Sequence, residues 1–438
     1  MPIWRALPPL LDRDLLRLFE SAALAGPVVR LDVAGYRLIQ VSDPALMREV
    51  LLDKAKAYRK GRLMRRLGAV TGEGLLINDG EVWKRHRRLT NPALAAGALP
   101  RYVPAMRQAV ADTIARWRRR DPAQPLDLLG ELSASTLACL LDSIFGIRAD
   151  ARFARVSEVI HSLLDELVRR GSALVAPPLA WPTPANWVFR RRIAEANAIL
   201  DDIIATRSQT LADHEEPADL LGQWLVQRRR DGEHFSDGEM RDELMTMLIA
   251  GHQSLAIALA WALYHVAQDP ALQTQLQQES DGAELPSEID EIDKLPLARG
   301  AFLEALRLYP QPPILLREAM APHRLGGYRI RRGDQLLLCL PALHRGAEYW
   351  SDPERFDASR YTGFNVNAMM QGGHLGFGGG SRSCIGRRFA LLEGVLLIAA
   401  IARAFTLRLA APDADPVPPR FAGMLVPARP LRVLATAR

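Results

Sequence analysis

Cysteine is scarce in this chain, with three residues among 438. Three scattered cysteines are too few for a disulfide framework, so we expect a reducing compartment and a cytoplasmic location. Cys139 lies in the apolar run 136–142 and Cys339 in the strand-like run 336–340, where both are expected to be core residues. Cys384 is therefore the cysteine left for chemistry.

The first residues contain no long apolar run, which predicts neither a signal peptide nor a membrane anchor. Aromatic residues make up 6% of the chain and do not interleave with the basic clusters. Nucleic-acid binding is therefore not expected, because stacking side chains are missing. The net charge of +6 comes from arginine-rich clusters at 84–88, 118–120 and 387–388. If these clusters share one face, they would suit docking of an acidic electron-transfer protein.

The pattern of elements separates strands from helices along the chain. Short strand patterns occur within 28–41 and again within 328–339, whereas 81–310 is almost wholly helical in pattern. Segregated helices and strands predict an α+β fold that is predominantly α-helical, with small β-sheets. The sequence contains no internal repeat and no low-complexity tract, and we expect a single domain over residues 1–438.

The longest predicted helix begins after a capping box at Ser236 and Glu239 and ends before Pro270. It carries no charged residue from 244 to 267, so a membrane span has to be weighed against a buried core helix. The polar segment 251–254 at its middle and the lack of a second apolar span favour a long, buried central helix.

Cys384 ends a glycine-rich loop and stands just before an apolar helix. Backbone N–H groups that glycine leaves accessible, together with the positive end of the helix, would stabilise a thiolate there. These are the conditions for an axial haem ligand. The alternative is a buried, inert cysteine in a tight turn.

The same segment resembles the Phe-x-x-Gly-x-Arg-x-Cys-x-Gly signature of the cytochrome P-450 superfamily, with Phe377, Gly380, Arg382, Cys384 and Gly386 at the matching positions. The resemblance implies a soluble bacterial type of haem-thiolate enzyme. It also implies haem b (iron protoporphyrin IX) as the cofactor and Cys384 as the metal ligand. By this resemblance, the residues that would hold the cofactor are Trp83, Arg87, Arg317, Phe377, Gly378, Arg382, Cys384, Ile385 and Gly386.

Glu304 and Arg307 stand three residues apart on a predicted helix, which alone indicates a routine surface ion pair. By the resemblance they belong to a buried Glu-x-x-Arg element that a third arginine, further along the chain, completes. The segment 356–361 fits that downstream pattern and makes Arg360 the third member, with Arg355 as the alternative. These three residues would be structural and would hold the cysteine loop.

The middle of the predicted central helix resembles the Ala-Gly-x-Asp/Glu-Thr element that delivers protons in this family. Its candidate catalytic residues are Ala250, Gly251, Gln253 and Ser254, so an amide replaces the acid and serine replaces threonine. An amide can hold water but cannot titrate, whereas the serine keeps a hydroxyl. Two interpretations stay open. One is an ordinary monooxygenase with looser coupling, and the other is an atypical reaction such as oxidative coupling, isomerisation or peroxide-driven oxidation.

The resemblance places the substrate pocket among apolar residues from several parts of the chain, namely Leu75, Leu76, Met247, Ala250, Ile314, Leu315, Met424 and Leu425. This lining favours a hydrophobic small molecule, such as a terpenoid, a fatty acid or a natural-product intermediate. The chain contains no flavin or iron–sulfur segment, so we expect electrons from a separate ferredoxin or flavodoxin-type donor on a basic proximal face. We also expect a monomer. The rival outside enzymology is a haem-binding sensor without turnover.

Overall fold

The computed structural model describes residues 15–33, 36–147, 158–159, 162–163, 166, 179–212, 216–230, 232–363, 373–411 and 415–438. Within these residues helices dominate the middle of the chain, and most strands lie towards its two ends. The predicted α+β class, predominantly helical with small sheets, is confirmed.

The amino-terminal part consists of a hairpin followed by short helices. It comprises α1 (Leu15–Ala25), β1 (Val28–Val33), β2 (Tyr36–Val41), α2 (Pro44–Arg48), β3 (Tyr58–Arg59), α3 (Gly61–Arg65) and α4 (Gly68–Thr71), with a π-helical turn at Glu49–Asp53 and a 3-10 turn at Ala55–Ala57. The predicted hairpin is confirmed, because β1 and β2 pair antiparallel with Val28 opposite Val41. Its turn at 34–35 lies outside the described residues.

Helices make up most of the described chain from 80 to 308. They are α5 (Gly80–Thr90), α6 (Val103–Arg118), α7 (Leu128–Phe145), α8 (Pro184–Thr210), α9 (Leu220–Arg229), α10 (Asp237–Gln268), α11 (Pro270–Gly282) and α12 (Pro296–Leu308), with 3-10 turns at Asn91–Leu94, Ala96–Tyr102 and Ile289–Lys294. The helical prediction missed the strand β4 (Leu126–Asp127). Two residues are too few to show a strand pattern, and tertiary pairing creates this strand.

Strands return after the helices, and one long helix follows the cysteine loop. The elements are β5 (Ile314–Ala319), β6 (His323–Leu325), β7 (Tyr328–Ile330), β8 (Gln335–Cys339), α13 (Leu340–His344), 3-10 turns at Ala358–Tyr361 and Gly380–Arg382, α14 (Arg387–Ala404), β9 (Phe405–Leu409), β10 (Pro419–Phe421), β11 (Leu425–Pro427) and β12 (Arg432–Ala437).

The largest sheet in the described part of the chain has the order β1-β2-β8-β5-β3, in which β2 and β8 are parallel and the other pairs antiparallel. A second sheet has the order β4-β12-β9, and β6-β7 and β10-β11 form separate pairs. Because β5 is paired on both sides, Arg317 opposite Leu336 is carried by an interior strand with a fixed backbone.

The central helix α10 spans 32 residues, and its predicted ends are confirmed. The Ser236 hydroxyl accepts from the Glu239 N–H, and the Glu239 carboxylate accepts from the Ser236 N–H at 2.9 Å. The expectation that there is no second apolar span is wrong, because both α7 and α10 are long and apolar enough to span a membrane by length and composition. However, 61% and 72% of their apolar windows are buried. Such burial is typical of core helices.

Two hydrophobic cores meet along α10. The larger surrounds its carboxyl-terminal half with α6, α7, α12 and α14, and there Trp261 stacks on Tyr309 with 3.9 Å between ring centroids. The other surrounds its amino-terminal half with α7, α8 and α9. Between the two cores, at residues 250–254, the burial of the helix is interrupted.

Candidate active site

The interruption of burial lies on one side of α10. Met247, Ala250, Gly251 and Ser254 are partly or fully exposed, although the helix around them is buried. Positions i, i+3, i+4 and i+7 share one helix face, so these residues form a strip that faces open space. Gln253, also partly exposed, lies at the edge of this open strip.

Hydrogen bonds fix the side chains around the open strip. Ser254 Oγ donates to the carbonyl of Ala250 at 2.7 Å, which leaves the lone pairs of the hydroxyl as acceptors. The carbonyl of the buried His252 accepts from Thr136 Oγ1 at 3.3 Å. A Cβ on Gly251 would lie 3.1 Å from Leu140 Cδ1. Helix α7 therefore supports the strip from behind.

The cysteine loop is shaped by glycines in left-handed conformations. Gly378 has φ 68° and Gly380 φ 67°, and a Cβ on Gly380 would lie 2.2 Å from the carbonyl oxygen of Leu51. The Cys384 N–H donates to the Phe377 carbonyl at 2.8 Å and closes the loop. The loop passes directly into α14, so Cys384 lies at the positive end of that helix.

Cys384 differs from the other two cysteines in access and electrostatics. It is exposed, whereas Cys139 and Cys339 are buried as predicted. Loss of hydration raises the pKa of all three thiols, including Cys384, whose sulfur is surrounded by protein atoms although the residue keeps an exposed surface. For Cys384, the Gly386 N–H and the charges of Arg87 and Arg387 offset part of this rise in pKa. Cys384 is thus the thiol that combines access with groups that favour a thiolate.

Residues of α5 contact the cysteine loop directly. The guanidinium carbon of Arg382 lies 3.9 Å from the centroid of the Trp83 ring, and Arg382 also donates to Asp79 at 2.7 Å. Arg87 Nη1 donates to the carbonyl of Ser383 at 2.9 Å. Trp83 and Arg87 therefore reach the same loop from one helix face, as their spacing of four residues predicts.

A further cation beside Arg317 and Arg382, Lys60, was missed by the sequence analysis. Burial and the charges of Arg317 and Arg382 lower the pKa of Lys60 to about 7. Burial likewise lowers the pKa of Arg317 and of Arg382 to about 10, and Asp79 is the carboxylate that opposes the shift in all three. The three cations carry more positive charge than Asp79 neutralises, so two additional carboxylates could bind to them. Lys60 has no motif around it, because its role arises from tertiary proximity.

Glu304 and Arg307 are fully buried on α12 and form a bidentate pair, with both N–H···O distances 2.7 Å. Arg360 Nε donates to Glu304 Oε1 at 3.1 Å. Arg355 instead offers its backbone carbonyl to Arg307 at 3.1 Å, and its side chain is exposed. Of the two alternatives, the side chain of Arg360 is therefore the one that reaches Glu304.

Two histidines missed by the sequence analysis connect this triad to the cysteine loop. His344 Nε2 accepts from the Leu375 N–H at 2.8 Å, so the ring proton is on Nδ1 and is donated to the Arg307 carbonyl at 2.9 Å. Burial lowers the pKa of His344 well below its usual value, which agrees with this neutral form. His374 lies 3.0 Å from the Leu303 carbonyl, and burial lowers its pKa to about 4.

The predicted pocket residues differ in their accessibility. Those with partly or fully exposed side chains are Leu76, Met247, Ala250, Leu315 and Met424, whereas Leu75, Ile314 and Leu425 are buried. The backbone of Leu425 is fixed, since its carbonyl accepts from Trp261 Nε1 at 3.0 Å. Substrate contact by these eight residues stays a prediction.

The thiol and the cations of this site are suited to binding a haem. The accessible thiol at a helix terminus can serve as an axial ligand, and Lys60, Arg317 and Arg382 can neutralise two propionates. Because the glycines of the loop have no Cβ, the loop backbone can lie close to neighbouring groups. Fold and site together define a haem-thiolate protein.

Comparison with known proteins defines the family. The family model described as Cytochrome P450 matches residues 12–435. The chain belongs to the cytochrome P450 family, and it is an oxidoreductase of the monooxygenase type. The family implies a haem cofactor, and it favours an enzyme over a sensor.

Similar proteins occur in plants and bacteria. The chain is 34% identical to Protein LUTEIN DEFICIENT 5, chloroplastic, of Arabidopsis thaliana, over 91% of this chain and 70% of that protein. It is 28% identical to pentalenene oxygenase of Streptomyces avermitilis, over 97% and 94%. It is 29% identical to cyclooctat-9-en-7-ol 5-monooxygenase of Streptomyces melanosporofaciens, over 90% and 86%. The crystal structure of the cytochrome P450DA heme domain matches with a TM-score of 0.87 and 26% identity, over 100% and 96%.

Proposed function

We propose that this protein hydroxylates a hydrophobic terpenoid, with O2 and two electrons from a separate donor. The observation that carries the proposal is the accessible Cys384 at the start of α14, beside Arg87 and Arg387. The substrate class is supported by the relatives named for pentalenene and cyclooctat-9-en-7-ol. The apolar side chains of Leu76 and Met247 around the open strip suit such a molecule.

When bound, haem b with a thiolate ligand supplies the activation of O2. The protein residues would hold and tune this group. Cys384 would be the ligand, and the Gly386 N–H and Arg87 would favour its thiolate form. Lys60, Arg317 and Arg382 would bind the propionates, with Trp83 stacked against Arg382. The triad of Glu304, Arg307 and Arg360 would keep the loop in place through His344.

Proton delivery would depend on Ser254 and Gln253. The Ser254 hydroxyl proton is donated to the Ala250 carbonyl, so the hydroxyl can pass this proton on only if that bond breaks. While the bond is kept, the oxygen can only accept a hydrogen bond from a water and orient it. Gln253 can orient a water but cannot exchange a proton. We therefore propose a monooxygenase with loose coupling. A second candidate, a reaction that needs little proton delivery, is favoured by the same engaged hydroxyl.

Four further properties belong to this proposal. The protein would act as a monomer in the cytoplasm, with residues 1–438 as one domain. A ferredoxin or flavodoxin-type donor would dock on the basic surface near Arg387 and Arg388, because Arg388 is exposed and the charge of its neighbour Arg387 acts on the cysteine ligand.

The first experiment examines the thiolate ligand. We expect a red protein whose reduced carbon monoxide complex shows the strongly red-shifted band of thiolate ligation. The variant Cys384→Ser should lose this band, whereas Cys339→Ala, which changes a buried cysteine, should keep it. A wild-type protein that stays colourless after haem supplementation would refute the proposal.

The second experiment separates the two candidate reactions. Pentalenene is offered with ferredoxin, its reductase and NADPH, and product formed per NADPH is measured by mass spectrometry. If Ser254 relays protons, Ser254→Ala should lower this coupling by about tenfold or more, and Gln253→Glu should raise it. Unchanged coupling in Ser254→Ala, with product formed from peroxide alone, would favour the second candidate.

A further inference from the structure

A buried histidine–glutamate pair joins α5 to α10 without contacting the residues assigned to the haem. His86 Nδ1 lies 2.6 Å from Glu243 Oε1, and the two side chains are 1% and 0% exposed. Burial raises the pKa of Glu243, and His86 opposes this shift. The imidazole and the carboxylate are therefore hydrogen-bonded to each other inside the protein, away from water. Glu243 lies one helical turn before Met247, the first residue of the open strip.

The pair also faces the loop 72–79, which leads into α5 and carries Leu75 and Leu76. Asn78 Nδ2 lies 3.3 Å from His86 Nδ1 and donates to the carbonyl of Glu73 at 2.7 Å. The N–H of Leu75 points to Glu243 and lowers its pKa. His86 thus contacts the end of the loop at Asn78, and Glu243 contacts its middle at Leu75.

The start of the loop is attached to α10 by a separate contact. The Glu73 N–H donates to Asp242 Oδ2 at 2.8 Å. Gly72, with φ 56°, would place a Cβ 2.1 Å from the Asp242 carboxyl carbon, and Gly74 would place one 2.0 Å from Thr246 Oγ1. The loop therefore lies directly on α10, at a separation that only glycine permits.

Stability alone does not account for a buried pair at this place. Arg85 and Glu239 already join the same two helices at the surface, with an N–O distance of 2.6 Å. The loss of hydration of a buried ion pair offsets most of its attraction, so replacement of both partners by apolar residues is often neutral. A buried pair adds directional contacts that fix one geometry.

We propose that His86 and Glu243 are positioning residues for the substrate. Together they fix the loop 72–79 on α10 and thereby set the shape of the pocket wall formed by Leu76 and Met247. This inference rests on the proposed function, because it takes the space beside the open strip as the substrate pocket.

The test uses the haem-loaded full chain and two azole probes. Imidazole can bind iron without filling the pocket, whereas the bulky clotrimazole has to fit against the pocket wall. The double variant His86→Leu/Glu243→Leu removes both polar groups together, so neither is left buried without its partner, and it is expected to fold. In spectral titrations we expect its Kd for clotrimazole to rise by about tenfold or more, and its Kd for imidazole to change by less than about twofold.

Two further variants separate positioning from general stability. Glu243→Gln keeps a hydrogen-bonding group toward His86, and we expect the Kd of this single variant for clotrimazole to stay within about threefold of the wild-type value. Arg85→Gln removes the surface connection between the same helices and leaves Glu239, whose Oε1 lies 3.5 Å from His86 Nε2, in place, so it is the matched control. We expect it to lower the melting temperature slightly and to leave both Kd values unchanged.

A readout without ligand comes from amide hydrogen exchange over residues 72–79. Exchange should be faster in the double variant and unchanged in Arg85→Gln. If the double variant fails to take up haem, the single variant His86→Asn carries the same expectations. If the double variant bound clotrimazole and exchanged its amide hydrogens as the wild type does, the proposal would be overturned. Changes of equal size in Arg85→Gln would overturn it as well. Absence of oxygenated product would instead count against the proposed function.

Discussion

At the scale of single residues, the excess positive charge near the cysteine loop leads to a prediction for Lys60. This lysine has a pKa of about 7 because burial and the charges of Arg317 and Arg382 oppose its protonation. Propionates would supply the missing negative charge. Lys60→Met should therefore lose a charge-assisted hydrogen bond and release haem about tenfold faster or more. Transfer of haem to apomyoglobin measures this rate, and Lys56→Met, at an exposed lysine nearby, should match the wild type.

A second residue-scale prediction concerns Glu393, which is buried on α14. Burial raises its pKa from 4.5 to about 8, and Cys139 is its hydrogen-bond partner. The folded chain keeps a proton that the unfolded chain releases above about pH 4.3, so this residue makes folding less favourable as pH rises towards 8. Glu393→Gln removes that effect. When the pH is raised from 5 to 8, the melting temperature of the variant should rise by about 2–4 °C relative to that of the wild type. Plots of melting temperature against pH that stay parallel for the two proteins would contradict the expectation.

At the scale of elements, the sequence predicts what local chemistry determines. The capping box at Ser236 and the break at Pro270 marked the ends of α10, because both signals act within one turn of the helix. Strand β4 was missed because only its pairing with β12 makes it a strand. Lys60 and His344 were missed for the same reason, since their partners lie far away in the chain.

The cysteine loop offers an element-scale prediction based on glycine. Gly380 combines φ 67° with a Cβ position 2.2 Å from the Leu51 carbonyl oxygen, whereas Gly327 has φ 85° and no atom within 4 Å of such a Cβ. Both alanine variants acquire the strain of a left-handed residue, about 1–2 kcal/mol. Only Gly380→Ala also displaces the loop. We expect it to lose most of its haem, measured as Soret absorbance relative to protein, while Gly327→Ala keeps the full amount.

At the scale of the whole molecule, ion pairs decide which basic clusters are available to a partner. Lys84, Arg85 and Arg88 pair with Glu81, Glu239 and Glu233, and Arg120 pairs with Glu131. The clusters at 84–88 and 118–120 therefore carry less net charge than the sequence suggests. At 387–388 two positive charges lie close together: Arg388 is exposed, and burial together with the charge of Arg388 lowers the pKa of Arg387.

This distribution predicts where an acidic electron donor docks. Arg387 also interacts with the Cys384 thiol, so a donor bound at Arg387 and Arg388 would stand close to the iron ligand. Arg388→Glu reverses one exposed charge and should slow reduction by ferredoxin about tenfold at low salt, with a smaller effect at high salt because ions screen the attraction. Stopped-flow reduction at several ionic strengths measures this. Arg118→Glu makes the same charge change in a different basic cluster and should have a much smaller effect. Equal slowing by both variants would mean that net charge, rather than this surface, guides the donor.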